Sequence, residues 1–178
     1  SRFIREDALR RFLRYVPIHT TSEERSERHP STERQFTLAR MLRDELGELG
    51  LEEVELDEHC YVYGKLPAAP GPVGPSVGLL AHIDTSPSVS GEGVKPLVRA
   101  RYDGGTLSFP DDPSLTLCPA DCPELAAFAG DDVVTASGTT LLGADDKAGV
   151  AEIVAALAAF RRFPGLRHPE IRVCFTPD

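Results

Sequence analysis

Tryptophan is absent from these 178 residues, methionine occurs once and cysteine four times. Four cysteines (Cys60, Cys118, Cys122 and Cys174) are too few for a disulfide scaffold. Basic charge is also short. Nineteen Lys and Arg face 28 Asp and Glu, leaving a net charge of −9. A phosphate backbone calls for a basic face, which argues against nucleic acid as the main partner. No run approaches the roughly 18 continuous apolar residues that span a bilayer, so no membrane partner is expected. Residues 1–14 are charged throughout and lack the apolar stretch of an export signal, which points to the cytoplasm.

What is present supports a folded domain. The apolar share of 41% is enough to build a core. Fifteen glycines and fifteen prolines make the chain rich in turns, and its length fits a single domain.

Residues 4–16 place Ile4, Ala8, Leu9, Phe12, Leu13 and Val16 at helical spacing. Residues 20–31 are polar and aperiodic, a loop. Thr32 followed by Gln35 is a capping-box pattern. It opens a helix to about Leu49, with Phe36, Ala39, Leu42, Leu46 and Leu49 inward and Gly50 as its stop. Residues 54–66 alternate as one or two strands, and 67–76 form a Pro/Gly linker. The short apolar run 77–83 reads as a central strand covered on both faces. Residues 85–130 read as a long insert with little regular structure, a length that suggests a functional role. A short strand at 132–135, an Ala-rich helix at 148–160 and a buried strand at 171–175 follow. This order favours an α/β three-layer domain.

Two places carry candidate chemistry. His82 and Asp84 stand two apart at the C-terminal end of the strand 77–83, on one side of it. Ligands of open α/β sheets bind at that end. There an imidazole can take a metal, and a neighbouring carboxylate can orient it. A capping Asp beside a half-buried His would look the same. The second place is the run Leu141-Leu-Gly-Ala-Asp145-Asp146-Lys147-Ala-Gly149, with two carboxylates at the start of a helix. Capping is the plain explanation. Both cannot cap equally well, which frees one for a divalent ion, while Lys147 is expected to face a carboxylate or solvent. No dinucleotide or Walker loop is present. Cys118 and Cys122 have C-x3-C spacing and read as reduced, partly buried thiols; half of a zinc site is the alternative.

Several segments together resemble one enzyme family. They are Phe12-Leu-Arg-Tyr-Val16, Pro30-Ser-Thr-Glu33, Ala81-His-Ile-Asp-Thr-Ser-Pro87, Tyr102-Asp-Gly-Gly105, Thr139-Thr-Leu-Leu-Gly-Ala-Asp-Asp-Lys-Ala-Gly149 and Ile171-Arg-Val-Cys-Phe-Thr-Pro-Asp178. They resemble the tripeptide aminopeptidases of the di-zinc metallopeptidase family that also holds carboxypeptidase G and acetylornithine deacetylase.

The resemblance implies a zinc-exopeptidase-like catalytic domain acting on small peptides with two zinc ions. It implies that His82 binds one zinc, that Asp84 orients that histidine, and that Asp145 bridges both ions. It also implies a cis Asp145–Asp146 bond. In the family two glutamates follow the Thr-Pro-Asp motif, the general base and a further zinc ligand. Later zinc ligands and a lid domain come after them. Residues 1–178 are thus expected to be the N-terminal portion of a catalytic domain, binding zinc weakly and inactive alone. A dipeptidase or N-acyl amino acid deacylase of the same family is the nearest alternative. A non-catalytic scaffold fragment is the alternative from another class.

Overall fold

The computed structural model describes residues 2–71 and 74–178. Pro72 and Val73, inside the anticipated linker, lie outside the described residues.

Helix α1 (Arg2–Tyr15) and helix α2 (Gln35–Glu48) form where the apolar spacing predicts them. The start of α2 differs from the capping box. The Thr32 hydroxyl donates instead to the Thr21 carbonyl at 3.0 Å. The Gln35 amide donates to Thr32 Oγ1 at 3.2 Å and to Asp178 Oδ1 at 2.6 Å. Long-range partners therefore outcompete the local cap. The end of α2 follows expectation. Gly50 adopts φ +71°, its N–H donates to the Gly47 carbonyl, and the Leu51 N–H donates to that of Leu46. This paired arrangement satisfies the last carbonyls and needs a left-handed residue.

The main sheet contains β1 (Glu52–Leu56), β2 (Val62–Leu66), β3 (Val77–His82) and β8 (Ile171–Thr176) in the order β1-β2-β8-β3. β8 runs antiparallel to β2 and parallel to β3, with His82 opposite Thr176. The parallel pair is connected through α3 (Ala144–Arg162). Burial alternates along β8, with Ile171, Val173 and Phe175 inward. Those side chains meet Phe12, Leu38, Leu42, Leu46, Val150, Val154 and Leu157 from the three helices in one core.

β3 is not the covered central strand that its composition suggests. It lies at the sheet edge, and Leu80 is 67% exposed. The apolar run reflects a strand with two apolar faces, but among the described residues the core helices pack on one face only.

The insert is also more regular than expected. β4 (Leu97–Arg99) pairs with β7 (Val133–Thr135), and β5 (Leu107–Phe109) pairs with β6 (Asp112–Leu117). A short 3-10 helix spans Pro123–Phe128. Tyr102, Leu107 and Leu125 form a small second core. Tyr102 donates its hydroxyl proton to the Gly105 carbonyl, so the Tyr102-Asp-Gly-Gly105 motif is a turn that anchors this core.

Candidate metal centre

β3 delivers His82 to the edge of the parallel pair, and the chain leaves the strand through Ile83, whose N–H donates to the Thr176 carbonyl at 2.8 Å. Asp84 then falls on the same side as His82. The imidazole Nδ1 lies 2.9 Å from Asp84 Oδ1. Its Nε2 lies 2.9 Å from Asp145 Oδ1, across 63 residues of sequence.

Asp145 reaches that position because the chain turns sharply before α3. Gly143 sits at φ +75°, a conformation glycine adopts without strain. Asp145 and Asp146 depart from helical angles, and the bond between them is cis. The two carboxylates divide their tasks. Asp146 Oδ1 accepts the Gly149 N–H at 3.2 Å and caps the helix. The Asp145 side chain points away from the helix and is 95% exposed.

The electrostatics match this arrangement. Burial opposes a charge on His82, but the hydrogen bond to Asp145 and the charge of Asp84 outweigh it and raise the imidazole pKa. A ring held between two carboxylates favours a cation at Nε2. A proton supplies one positive charge there, and a divalent ion supplies two. With Nδ1–H donating to Asp84, an Nε2–H donates to Asp145 without metal; loss of that proton leaves the Nε2 lone pair on the same side, the tautomer a metal requires. An imidazole and a carboxylate suit zinc chemically. The donor set thus fits a zinc ion but is incomplete. Among the described residues no group of three or more His, Cys, Asp or Glu side chains is arranged to hold a metal, whereas catalytic zinc takes three protein ligands.

Lys147 departs from expectation. It faces neither a carboxylate nor solvent. It is 2% exposed, and its ammonium donates to the Ile18 carbonyl at 2.6 Å. Burial pushes its pKa down to about 8. Sequence reading missed this because an exposed lysine and a buried one look alike without the tertiary fold. The only signal was its place in the first turn of an otherwise apolar helix. Among the described residues the C-x3-C pair gathers no metal set either. Cys118 Sγ lies 3.1 Å from Asp121, Cys122 Sγ lies 3.6 Å from Glu124, and all four cysteines are free thiols.

Over 175 residues, 98% of its length, the chain is 45% identical to Peptidase T of Geobacillus thermodenitrificans. Over 170 residues it is 49% identical to Peptidase T of Desulfitobacterium hafniense. The chain is similar to peptidase T along nearly its whole length. It spans 43% and 41% of those two peptidase T chains. No family model matches it. In fold it is similar to the crystal structure of a tripeptidase from Staphylococcus aureus, at TM-score 0.63 and 22% identity. That match covers 97% of this chain and 36% of the other. The chain shares the mixed helix and sheet fold of that structure over the part the match covers.

Proposed function

We propose that residues 1–178 form the N-terminal part of the catalytic domain of a zinc-dependent aminopeptidase. In this reading the enzyme releases the N-terminal residue from tripeptides, in the cytoplasm. The observation that carries it is the clasp of His82 between Asp84 and Asp145 in a chain similar to peptidase T.

His82 Nε2 and Asp145 would hold zinc, Asp145 bridging two ions as the resemblance implies. Asp84 keeps the Nδ1 proton in place and so presents the Nε2 lone pair. Bound zinc supplies a Lewis acid and lowers the pKa of water toward neutrality. The exposed Asp145 carboxylate leaves that face open to a small peptide. The proton acceptor is assigned by resemblance to a glutamate after the Thr-Pro-Asp178 motif. The 178 residues alone are therefore expected to bind zinc weakly and to hydrolyse nothing measurable.

The test is an assay of the full-length gene product on tripeptides, dipeptides and N-acyl amino acids, with and without a chelator. Chelator-sensitive tripeptidase activity that is lost in His82→Ala supports the reading. Preference for dipeptides or acyl amino acids selects a relative's chemistry. Absence of any hydrolysis by the zinc-loaded full-length protein selects the scaffold reading. Strong activity from residues 1–178 alone would overturn the proposed division of the site.

A further inference from the structure

The two halves of the candidate site come from separate segments. Their ligand side chains meet in the His82–Asp145 hydrogen bond, and the Asp145 side chain is almost fully exposed. Exposed charge pairs contribute little and do not hold a spacing by themselves.

A buried route joins the same two segments. On one side, the Lys147 ammonium, two residues past Asp145, donates to the Ile18 carbonyl. On the other, residues 20–22 bind Thr85, the neighbour of Asp84. The Thr85 N–H donates to the Thr20 carbonyl at 3.2 Å, and the Ser22 N–H donates to the Thr85 carbonyl at 3.0 Å. The Ser22 hydroxyl reaches the same carbonyl at 3.1 Å. The Thr21 and Thr85 hydroxyls lie 3.3 Å apart. The segment 18–22 is thus a strap tied to Thr85 at one end and to Lys147 at the other. The turn before α3 lies against Thr85 and the Lys147 stem, the two residues that the strap ties together. A side-chain carbon added at Gly143 would come within 3.0 Å of the Thr85 methyl and 3.9 Å of the Lys147 stem.

Among the described residues Lys147 forms no ion pair. A buried ammonium without a carboxylate is costly, and a methionine of similar length would fill the same space without that cost. Packing alone does not account for the amine.

We propose that Lys147 is a positioning residue that sets the distance between Asp145 and the His82–Asp84 pair through the 18–22 strap. The proposal rests on the metal reading of that site for its functional consequence, and on geometry alone for the placement of Asp145.

The test uses the full-length gene product, its Lys147→Met variant, and Lys147→Gln, which keeps a shorter donor. Two readouts are taken. Zinc affinity is measured by competition with a chromophoric chelator, with His82→Ala as reference. The 15N shifts of the His82 ring are measured without metal at fixed pH, where they report the Asp145 hydrogen bond.

Lys147→Met is expected to unfold cooperatively when metal-free, to bind zinc at least about tenfold more weakly, and to shift the Nε2 resonance, with Lys147→Gln intermediate. A purely structural lysine would lower the melting temperature and leave the ring resonance in place. If the wild type shows no zinc binding sensitive to His82→Ala, the metal reading fails and the ring resonance alone decides the positioning role. An unchanged Nε2 shift in a folded Lys147→Met overturns the proposal, as does zinc affinity within about twofold of a binding-competent wild type. If Lys147→Met does not fold, Lys147→Gln is judged by the same two criteria.

Discussion

Tyr15 on α1 donates its hydroxyl proton to Glu45 Oε2 on α2 at 2.6 Å, inside the protein. Arg11 pairs with the same carboxylate, and Arg14 lies 3.0 Å from its other oxygen. Glu45→Ala removes the shared acceptor and leaves a buried guanidinium and a buried phenol facing a void. The expected loss is about 3 kcal/mol or more of folding stability, read from denaturant midpoints. A loss below about 1 kcal/mol, the range of exposed pairs, would show that solvent replaces the carboxylate.

Asp7 adds a pH dependence to the same helix. Burial raises its pKa, but hydrogen bonds from Arg10 and Arg11 prevail and lower it. A depressed carboxylate contributes stability that is fully present above the unfolded value of about 3.9. That contribution is lost as pH falls through the lower folded value. Wild type should therefore lose stability below about pH 4 more steeply than Asp7→Asn. Parallel acid profiles of the two in urea titrations would contradict this.

Gly64 lies in β2 where the sheet meets α2. A side-chain carbon there would stand 3.1 Å from both Leu46 Cδ1 and Leu51 Cδ2 and 3.4 Å from Val173 Cγ2. Gly64→Ala should cost about 1–3 kcal/mol by overpacking. Gly165→Ala meets nothing within 4 Å and should stay near neutral. Equal melting temperatures for the two variants would refute the packing argument.

Leu80 projects from the edge strand β3 at 67% exposure, in register with Cys174, which is opposite Tyr63. An exposed apolar edge invites pairing with other chains. Leu80→Lys should reduce concentration-dependent association of the 178-residue chain in light scattering. Unchanged association would place the sticky surface elsewhere.

Much of this was legible in local patterns. The stripe of Phe12, the repeat of Leu42 and Leu46, and the alternation of Ile171, Val173 and Phe175 report which face of each element is buried. Side-chain direction follows backbone periodicity in that way. His82 and Asp84 share a side because residues two apart on a strand must. Asp145 and Asp146 divide into a free carboxylate and a cap because only one can reach the helix N–H groups. The extent of burial was not legible for β3 or for Arg11. Each depends on what lies across the interface, Glu45 in the case of Arg11 and no described element over one face of β3.

The amino-acid sequence by itself determined the helices, the core strands, the sharp Gly143 turn and the chemical identity of the donors. Those depend on interactions within a few residues. Only the tertiary structure decided that His82 meets Asp145, that Gln35 gives up a local cap to hold Asp178, and that Lys147 is buried on the Ile18 carbonyl. Each joins groups 63 to 143 residues apart, and such pairings form only when burial of a shared core brings their segments together.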